Sequence, residues 1–531
     1  MNVRRPRRHA CTAFVGGTIL TMDSQGAAAE AVVVEGDRIV AVGDRSTVAA
    51  VPDAAIVDLA GRTLVPGFID AHTHLCIAAL HPRWADLSDV TDFEGLHARL
   101  SGQATAEPDA EWVRGVGWTD LGSGFTPTRH DLDALGLDRP VVVVHYSYHQ
   151  CVVSSAGLDA LGIGRGTPDP EGGYIERGPD GEPTGLLVER AFSAAHAASM
   201  APYRDPDRWA DHIVTAATAL LADGITCVHD AACPPSAEAQ YARLARDQRL
   251  PVSVLMMPHG EALLGPLDES RLDGAPTGDG DEWLRVGPVK LFADGGVLPA
   301  IEGRVRGNAI SIGLVFEGLA TQARRAVERG FRVAVHAIGN RGLQAALGAF
   351  ETAARARPDD DPRFRVEHAT LADSSQVRRM AGLGAVAVVQ PGFVHHMGGA
   401  VDGFTLDDAT WMPFADLAGA GVPIAASSDH PCAFAEPLLT SARGVTRFTS
   451  NGTVIGPDQS VSYEDWLRAY TAGAAYAGGQ EHERGRLAAG LRADLVVLDG
   501  ALDAEHPPSV AETWVAGEQV YVAPGHSDAK R

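Results

Sequence analysis

From residue 205 to about residue 430 the chain alternates between two hydrophobic rhythms. DPDRWADHIVTAATALLADG spaces its apolar residues at helical intervals, with Asp205 as N-cap, Pro206 at the first helical position and Gly224 at the stop. LATQARRAVERG and RGLQAALGAFETAARA read the same way. Between such stretches stand short β-branched runs: GITCVHDA, VSVLMMP, RVGPVKLFADG, RVAVHAIG, FRVEHAT, AVAVVQP and PIAASSD. With FIDAHTH as the first, they make about eight strands in β-α alternation, which predicts an α/β fold, a (β/α)8 TIM-type barrel.

Two regions break the alternation. Residues 1–64 and 485–531 are rich in Val, Gly and turn signals, among them a hairpin pattern around Glu35-Gly36-Asp37, and predict one small discontinuous β-sandwich domain made by both chain ends. The barrel then spans 65–484. Within it, 81–204 is too long for a loop and carries Pro and Gly clusters, which predicts an inserted subdomain acting as a lid. Its aromatic residues Trp84, Trp112, Trp118, Tyr146 and Tyr148 have two readings, a substrate-facing wall or the insert's own small core.

Composition narrows the function classes. The chain has 531 residues, 45% of them hydrophobic and 21% charged, as in a soluble globular protein. Its formal net charge of -24 argues against nucleic acid or an anionic membrane as partner, because Lys and Arg must supply attraction to phosphate. The six cysteines lack C-x-x-C spacing and read as free thiols in a reducing cytoplasm. RRPRRH followed by ACTAFVGGTIL imitates a signal peptide, but the apolar part is short, broken by Gly16 and Gly17, and continues into strand-like alternation. No run reaches the roughly 20 apolar residues of a membrane helix. The expected assembly is a homodimer.

The candidate chemistry sits at the ends of the predicted strands. His72 and His74 lie two apart on one strand, so both imidazoles share a face and converge on one point. Lys290, His336, His368 and Asp429 occupy the ends of four later strands. Each alone has a plainer explanation: a core histidine, a salt-bridged lysine, a helix N-cap. Together they recur in chain order where a barrel carries its chemistry, and they offer four imidazoles and a carboxylate without thiolate, a set suited to one or two ions of Zn²⁺ or another divalent first-row metal. A lysine ammonium would repel cations; carbamylated by CO₂, Lys290 becomes a carboxylate able to bridge two metals. GIGRGT at 162–167 reads as a turn, and Ser427, Ser428, Asp429 and His430 are too close in sequence for a Ser-His-Asp triad.

The ordered series AFVGGTILTMD, GFIDAHTHL, DPEGGYIERGPDGEPTG, LADGITCVHDA, VKLFADGG, FRVAVHAIGN, RVEHA, SSDHP and LAAGLRADLVVLD resembles the amidohydrolase superfamily, in particular amidohydrolase family 3 with its N-substituted formamide deformylases. That resemblance gives His72, His74, Lys290, His336, His368 and Asp429 metal-ligand roles. It implies hydrolysis of an amide, N-acyl or N-formyl bond by a metal-activated hydroxide, with Asp429 as general base. The family's HAIGD ends here in Asn340; the family's aspartate is read as outer support of the metal, so its loss bears on fine tuning and not on the metal itself. Its D-G-H motif is Ser147-Tyr148-His149 here, which leaves His149 to contact the substrate's acyl oxygen. A small neutral amide with an apolar part is the expected substrate, with Trp84 and His149 beside it; an anionic substrate would point to Arg447. Rival readings are a metal-assisted lyase, isomerase or decarboxylase on the same scaffold, or a non-catalytic regulatory relative.

Overall fold

A computed structural model of the chain describes residues 11–23, 28–49, 51, 53–119, 125–358 and 361–525. The basic run at the N-terminus, on which the signal-peptide comparison turns, lies outside them. Eight parallel strands carry the centre: β1 (Phe68–Thr73), β2 (Ile225–Cys233), β3 (Ser253–Pro258), β4 (Val289–Phe292), β5 (Val333–Ala337), β6 (Arg365–His368), β7 (Val386–Val389) and β8 (Ile424–Ala426). Every residue of β1 to β7 is buried, as expected of parallel strands covered on both faces.

The strands are bonded in two ladders, one running β1-β2-β3 and then Leu284–Val286, the other β4-β5-β6-β7-β8. The ladders meet at two seams. β4 packs against β2 and β3. At the other seam the chain after β8 lies along β1, where Asp429 N donates to His72 O and His74 N to His430 O, both at 2.8 Å. Buried Asp70 on β1 fastens this seam by accepting from the Ser428 hydroxyl at 2.5 Å and the Ser428 amide at 3.0 Å. The result is a TIM-barrel-like α/β fold.

The helix that precedes β2 forms as its sequence dictates. It spans Pro206–Ala219, the Asp205 side chain accepts from Arg208 N at 3.0 Å, and Trp209, Ala210, Ile213 and Ala217 make its buried stripe. A 3-10 turn, Leu220–Asp223, follows, and Gly224 then takes φ 75° to release the chain into β2.

Both chain ends share one eight-stranded sheet. Thr63–Pro66 joins the two contributions, pairing parallel with Thr12–Leu20 and antiparallel with Leu495–Asp499. The sheet therefore runs two residues past the boundary at 64. It folds over on itself: Phe14 and Trp514 stand on strands three apart in the sheet order, yet their rings meet edge to face at 5.1 Å. Strand alternation then serves two cores, Leu495 and Val497 facing the sheet's own cluster while Val496 and Leu498 face the barrel's.

Residues between β1 and β2 form a second, six-stranded sheet ordered Gly173–Arg177, Pro183–Glu189, Gln150–Val153, Val141–His145, Val113–Trp118 and Ala85–Asp86. All six cysteines are free. Among the described residues no helix is long and apolar enough to cross a membrane.

Candidate metal centre

Three side chains from the β1–β8 seam converge. Asp429 Oδ1 lies 3.4 Å from His72 Nε2 and 3.2 Å from His74 Nε2. Ligand atoms bonded at about 2.0–2.1 Å to one tetrahedral ion stand about 3.4 Å apart, so the spacing fits a shared metal. Asp429 Oδ1 is buried and its approach to the imidazoles does not complete a hydrogen bond, which leaves it free for an ion.

The histidines are oriented by what holds their other nitrogen. His72 gives Nδ1 to the Glu367 carboxylate. His74 Nδ1 lies 2.9 Å from Ala231 O, and His368 Nδ1 lies 2.9 Å from Gln390 Oε1. Each Nδ1–H thus has an acceptor, and Nε2 is left as a lone-pair donor, the arrangement that metal-bound imidazoles use. His336 completes the cluster with its ring 4.6 Å from that of His368, and His336 Nε2 is buried with no hydrogen-bond partner. Burial, with Lys290 adding to it and the nearby carboxylates opposing it only in part, lowers His72 to about 4 and His368 to about 3, so both rings are neutral near pH 7.

Period-two alternation alone cannot put Glu367 and His368 at one site. Glu367 shares a face of β6 with Arg365, whose Nε donates to it at 2.8 Å. His368 should point the other way. A left-handed φ of 76° at His368 breaks the alternation and swings its ring to within 4.9 Å of His72. Asp429 likewise stands at φ 60°. Burial works to raise the Asp429 carboxyl, but His74, His368 and His72 outweigh it and hold the group well below the usual carboxylate range.

Lys290 is buried on β4 with Nζ 3.4 Å from His72 Nε2, and burial lowers its pKa to about 8. A cavity of about 280 Å³ opens above these groups. Leu263, Phe292, Val297, Ile338, Phe393, Met397, Val401 and Trp411 are among its apolar walls, and His145, Tyr146, Ser147, His149 and Gln150 enter it from the inserted sheet. Among the described residues lining it, Lys290 is the one basic aliphatic side chain and Asp429 the one carboxylate.

A sequence profile of the amidohydrolase family matches residues 55–521. The chain belongs to the amidohydrolase family. It is a hydrolase acting on carbon–nitrogen bonds other than peptide bonds. The amidohydrolase is 34% identical over 503 residues to an N-substituted formamide deformylase of Arthrobacter pascens, covering 92% of this chain and 93% of that one. A solved metal-dependent hydrolase from Pyrococcus horikoshii OT3 is similar with a TM-score of 0.73 and 25% identity, covering 94% of this chain and 99% of that. Its counterpart from Pyrococcus furiosus gives 0.70 and 26%, covering 93% and 99%.

In this amidohydrolase the six donors singled out in the sequence gather at one place, and His149 joins them, its ring 5.3 Å from that of His336. Three other assignments change. Trp84 does not line the cavity: it is buried with the Arg114 guanidinium 4.3 Å above its ring and Tyr203 edge-on at 5.9 Å, beside a separate adjoining groove. Trp112 and Trp118 are core residues as well, so the lid's aromatic wall reduces to the segment 145–150. Asn340 is no outer support of the metal; its Oδ1 accepts from Glu302 N at 3.0 Å and its Nδ2 donates to Glu302 O at 2.6 Å, a two-way pairing that an amide makes and a carboxylate does not.

Arg447 is the third. It is buried at φ 58°, donates to Ile455 O at 2.9 Å and Met412 O at 3.1 Å, and lies outside the cavity. Its role is to satisfy carbonyls of a neighbouring loop. Arg447→Ala is therefore expected to lower stability by about 3 kcal/mol through lost packing and unsatisfied carbonyls. Thermal denaturation would show that loss, while KM for an uncharged amide stays within about threefold; a large rise in KM at unchanged stability would restore Arg447 as a substrate contact.

The sequence reading passed over Glu367, Gln390 and Asp294. Glu367 stands inside the quoted RVEHA motif, and its position two residues from Arg365 on one strand face was an available signal. Asp294, in VKLFADGG, accepts from Ala300 N, Ile338 N and Gly339 N at 2.8–3.0 Å and so fixes the loops after β4 and β5. Burial outweighs those donors and raises its carboxyl to about 7.

Proposed function

We propose that this amidohydrolase is metal-dependent and cleaves a neutral N-acyl or N-formyl amide whose nitrogen carries an apolar substituent. The observation that carries the reading is the cavity, in which apolar walls surround a His-His-Asp cluster and, among the described residues lining it, no arginine stands ready for an anionic substrate group. Its likeness to the Arthrobacter deformylase points the same way.

His72, His74, His336, His368, Asp429 and Lys290 would hold one or two divalent first-row ions, with Zn²⁺ suited to the nitrogen and oxygen donors. Such an ion, when bound, brings the pKa of water towards about 7 and polarises a carbonyl. Asp429 accepts the proton of the attacking water and passes it to the leaving nitrogen, so that an amine departs and a carboxylic acid remains. His149 contacts the substrate's acyl group from the insert side, and the apolar walls exclude bulk water from the site.

Lys290 has no carboxylate partner at ion-pair distance among the described residues, and its amine adjoins His72. Adding CO₂ to the neutral amine with loss of one proton would turn it into a carbamate, a second anionic oxygen donor beside Asp429 for holding the ions. Lys290→Ala is expected to lower metal content and turnover together, and short carboxylic acids should restore part of both. A crystal structure with metal bound beside an unmodified Lys290 pointing away would reject the carbamate.

The decisive assay is a panel of neutral formamides, N-acyl amino acids, cyclic amides and esters with added Zn²⁺, run in ¹⁸O-labelled water. Label should enter the acid product, and neutral amides should dominate. Turnover confined to strongly anionic substrates, or product free of solvent oxygen, would overturn the proposal.

A further inference from the structure

Glu189 holds a conformation that a residue with a side chain rarely takes. It stands at φ 54°, buried, where the strand Pro183–Glu189 passes directly into the helix Arg190–Met200. Its carboxylate explains the strain. Oε2 lies 2.6 Å from His149 Nδ1, and Oε1 accepts from Val297 N and Leu298 N, each at 2.9 Å. The Glu189 N–H in turn donates to His149 O at 2.6 Å.

Gly296 N also lies 2.9 Å from His149 Nδ1. One ring nitrogen cannot donate in plane to the carboxylate and accept from the amide at once. The shorter contact, to a charged acceptor, decides for Nδ1–H pointing at Glu189. Nδ1 is thereby occupied, and Nε2 is the nitrogen left to the cavity that His149 lines.

Two glycines make room for the pair. A Cβ on Gly295 would stand 2.2 Å from the Glu189 carboxyl carbon, and one on Gly296 would stand 2.6 Å from the His149 ring. Distances under 3 Å are not tolerated without movement, so the Gly-Gly step after Asp294 is the seat on which the insert docks beside the metal centre.

We infer that Glu189 is a positioning residue: it fixes the His149 imidazole so that Nε2, and not Nδ1, meets the substrate's amide group. As far as it concerns turnover, this rests on the hydrolase reading above. The docking geometry does not.

The test is a cycle of Glu189→Ala, His149→Ala and the double variant, with Glu189→Gln as the conservative partner. Glu189→Ala should lower kcat by about 10- to 100-fold with KM changed less than about threefold, as loss of an orienting partner does. Metal content should not change. Glu189→Gln, which keeps an oxygen acceptor, should recover part of the rate and guards against simple misfolding of the alanine variant. Because Glu189 acts through His149, the double variant should be no slower than His149→Ala alone. Unchanged kcat in Glu189→Ala, or a double variant slower by the full additional factor, would overturn the inference.

A crystal structure of Glu189→Gln or Glu189→Ala separates this from the substrate reading. A His149 ring turned or moved from its 5.3 Å position against His336 supports positioning whether or not amides are substrates. A ring unmoved in both variants defeats it even if the wild type hydrolyses amides.

Discussion

Asp429→Asn is expected to lower kcat by about 10³-fold, within the range that general acid–base groups supply. The asparagine keeps the shape of the side chain but cannot take a proton from water, and it removes the negative charge that Asp429 Oδ1 brings to within 3.2 and 3.4 Å of the two imidazole nitrogens. Metal content should fall less than turnover, because His72, His74, His336 and His368 remain. The size of the loss should also be nearly independent of pH between about 5 and 9. Although burial works against it, the surrounding histidines keep the Asp429 carboxyl ionised far below that range, so the variant removes a group whose charge does not change within it. Near-normal turnover in the variant would reject Asp429 as the proton carrier, and a loss confined to one end of the pH range would reject its constant ionisation.

The second large effect is expected at Glu367, which touches no substrate. Its carboxylate is fully buried between the Arg365 guanidinium and His72 Nδ1. Glu367→Ala would strand Arg365 as a buried cation, and breaking such a pair from one side costs about 3–5 kcal/mol. The same change removes the acceptor that orients His72, for which metal affinity should fall about 10- to 100-fold. The two consequences can be separated. Arg365→Met combined with Glu367→Leu removes both charges and should recover much of the stability while leaving metal affinity low. If the double variant bound metal normally, the Glu367 contact would not be what orients His72.

Acid should expose the same pair. Burial alone would raise Glu367, but Arg365 and His72 hold it well below its ordinary value of 4.5. A depressed folded-state pKa contributes stability that is present above the unfolded value and lost as pH falls below it. The stability difference between wild type and Glu367→Ala should therefore shrink below about pH 4.5, as measured by denaturant unfolding at several pH values.

The barrel strands and the six residues that gather at their ends were legible in the sequence because the signals are short in range. A β-branched run between helical stretches marks a buried parallel strand, and a donor at its end keeps that place whatever the loops do. His72 and His74 needed only period two. His336, Lys290 and Asp429 needed only the order of elements. His368 shows the limit of that reasoning: its motif placed it at the end of β6, but the left-handed backbone that turns its ring towards His72 and His336 carries no local sequence signal.

Tertiary structure alone decided the partners of charged and aromatic groups. Arg447 and Trp84 have the chemistry of substrate contacts, and nothing local distinguishes them from such contacts. One is consumed by loop carbonyls and the other by Arg114 and Tyr203. Glu189 is the reverse case, a glutamate at the junction of a strand and a helix that becomes the support of His149 only because the inserted sheet docks on Gly295 and Gly296. Strand and helix periodicity record which face of an element is buried. They do not record what lies opposite that face, because the opposing atoms come from residues tens to hundreds of positions away, and only the folded chain brings them within hydrogen-bonding distance.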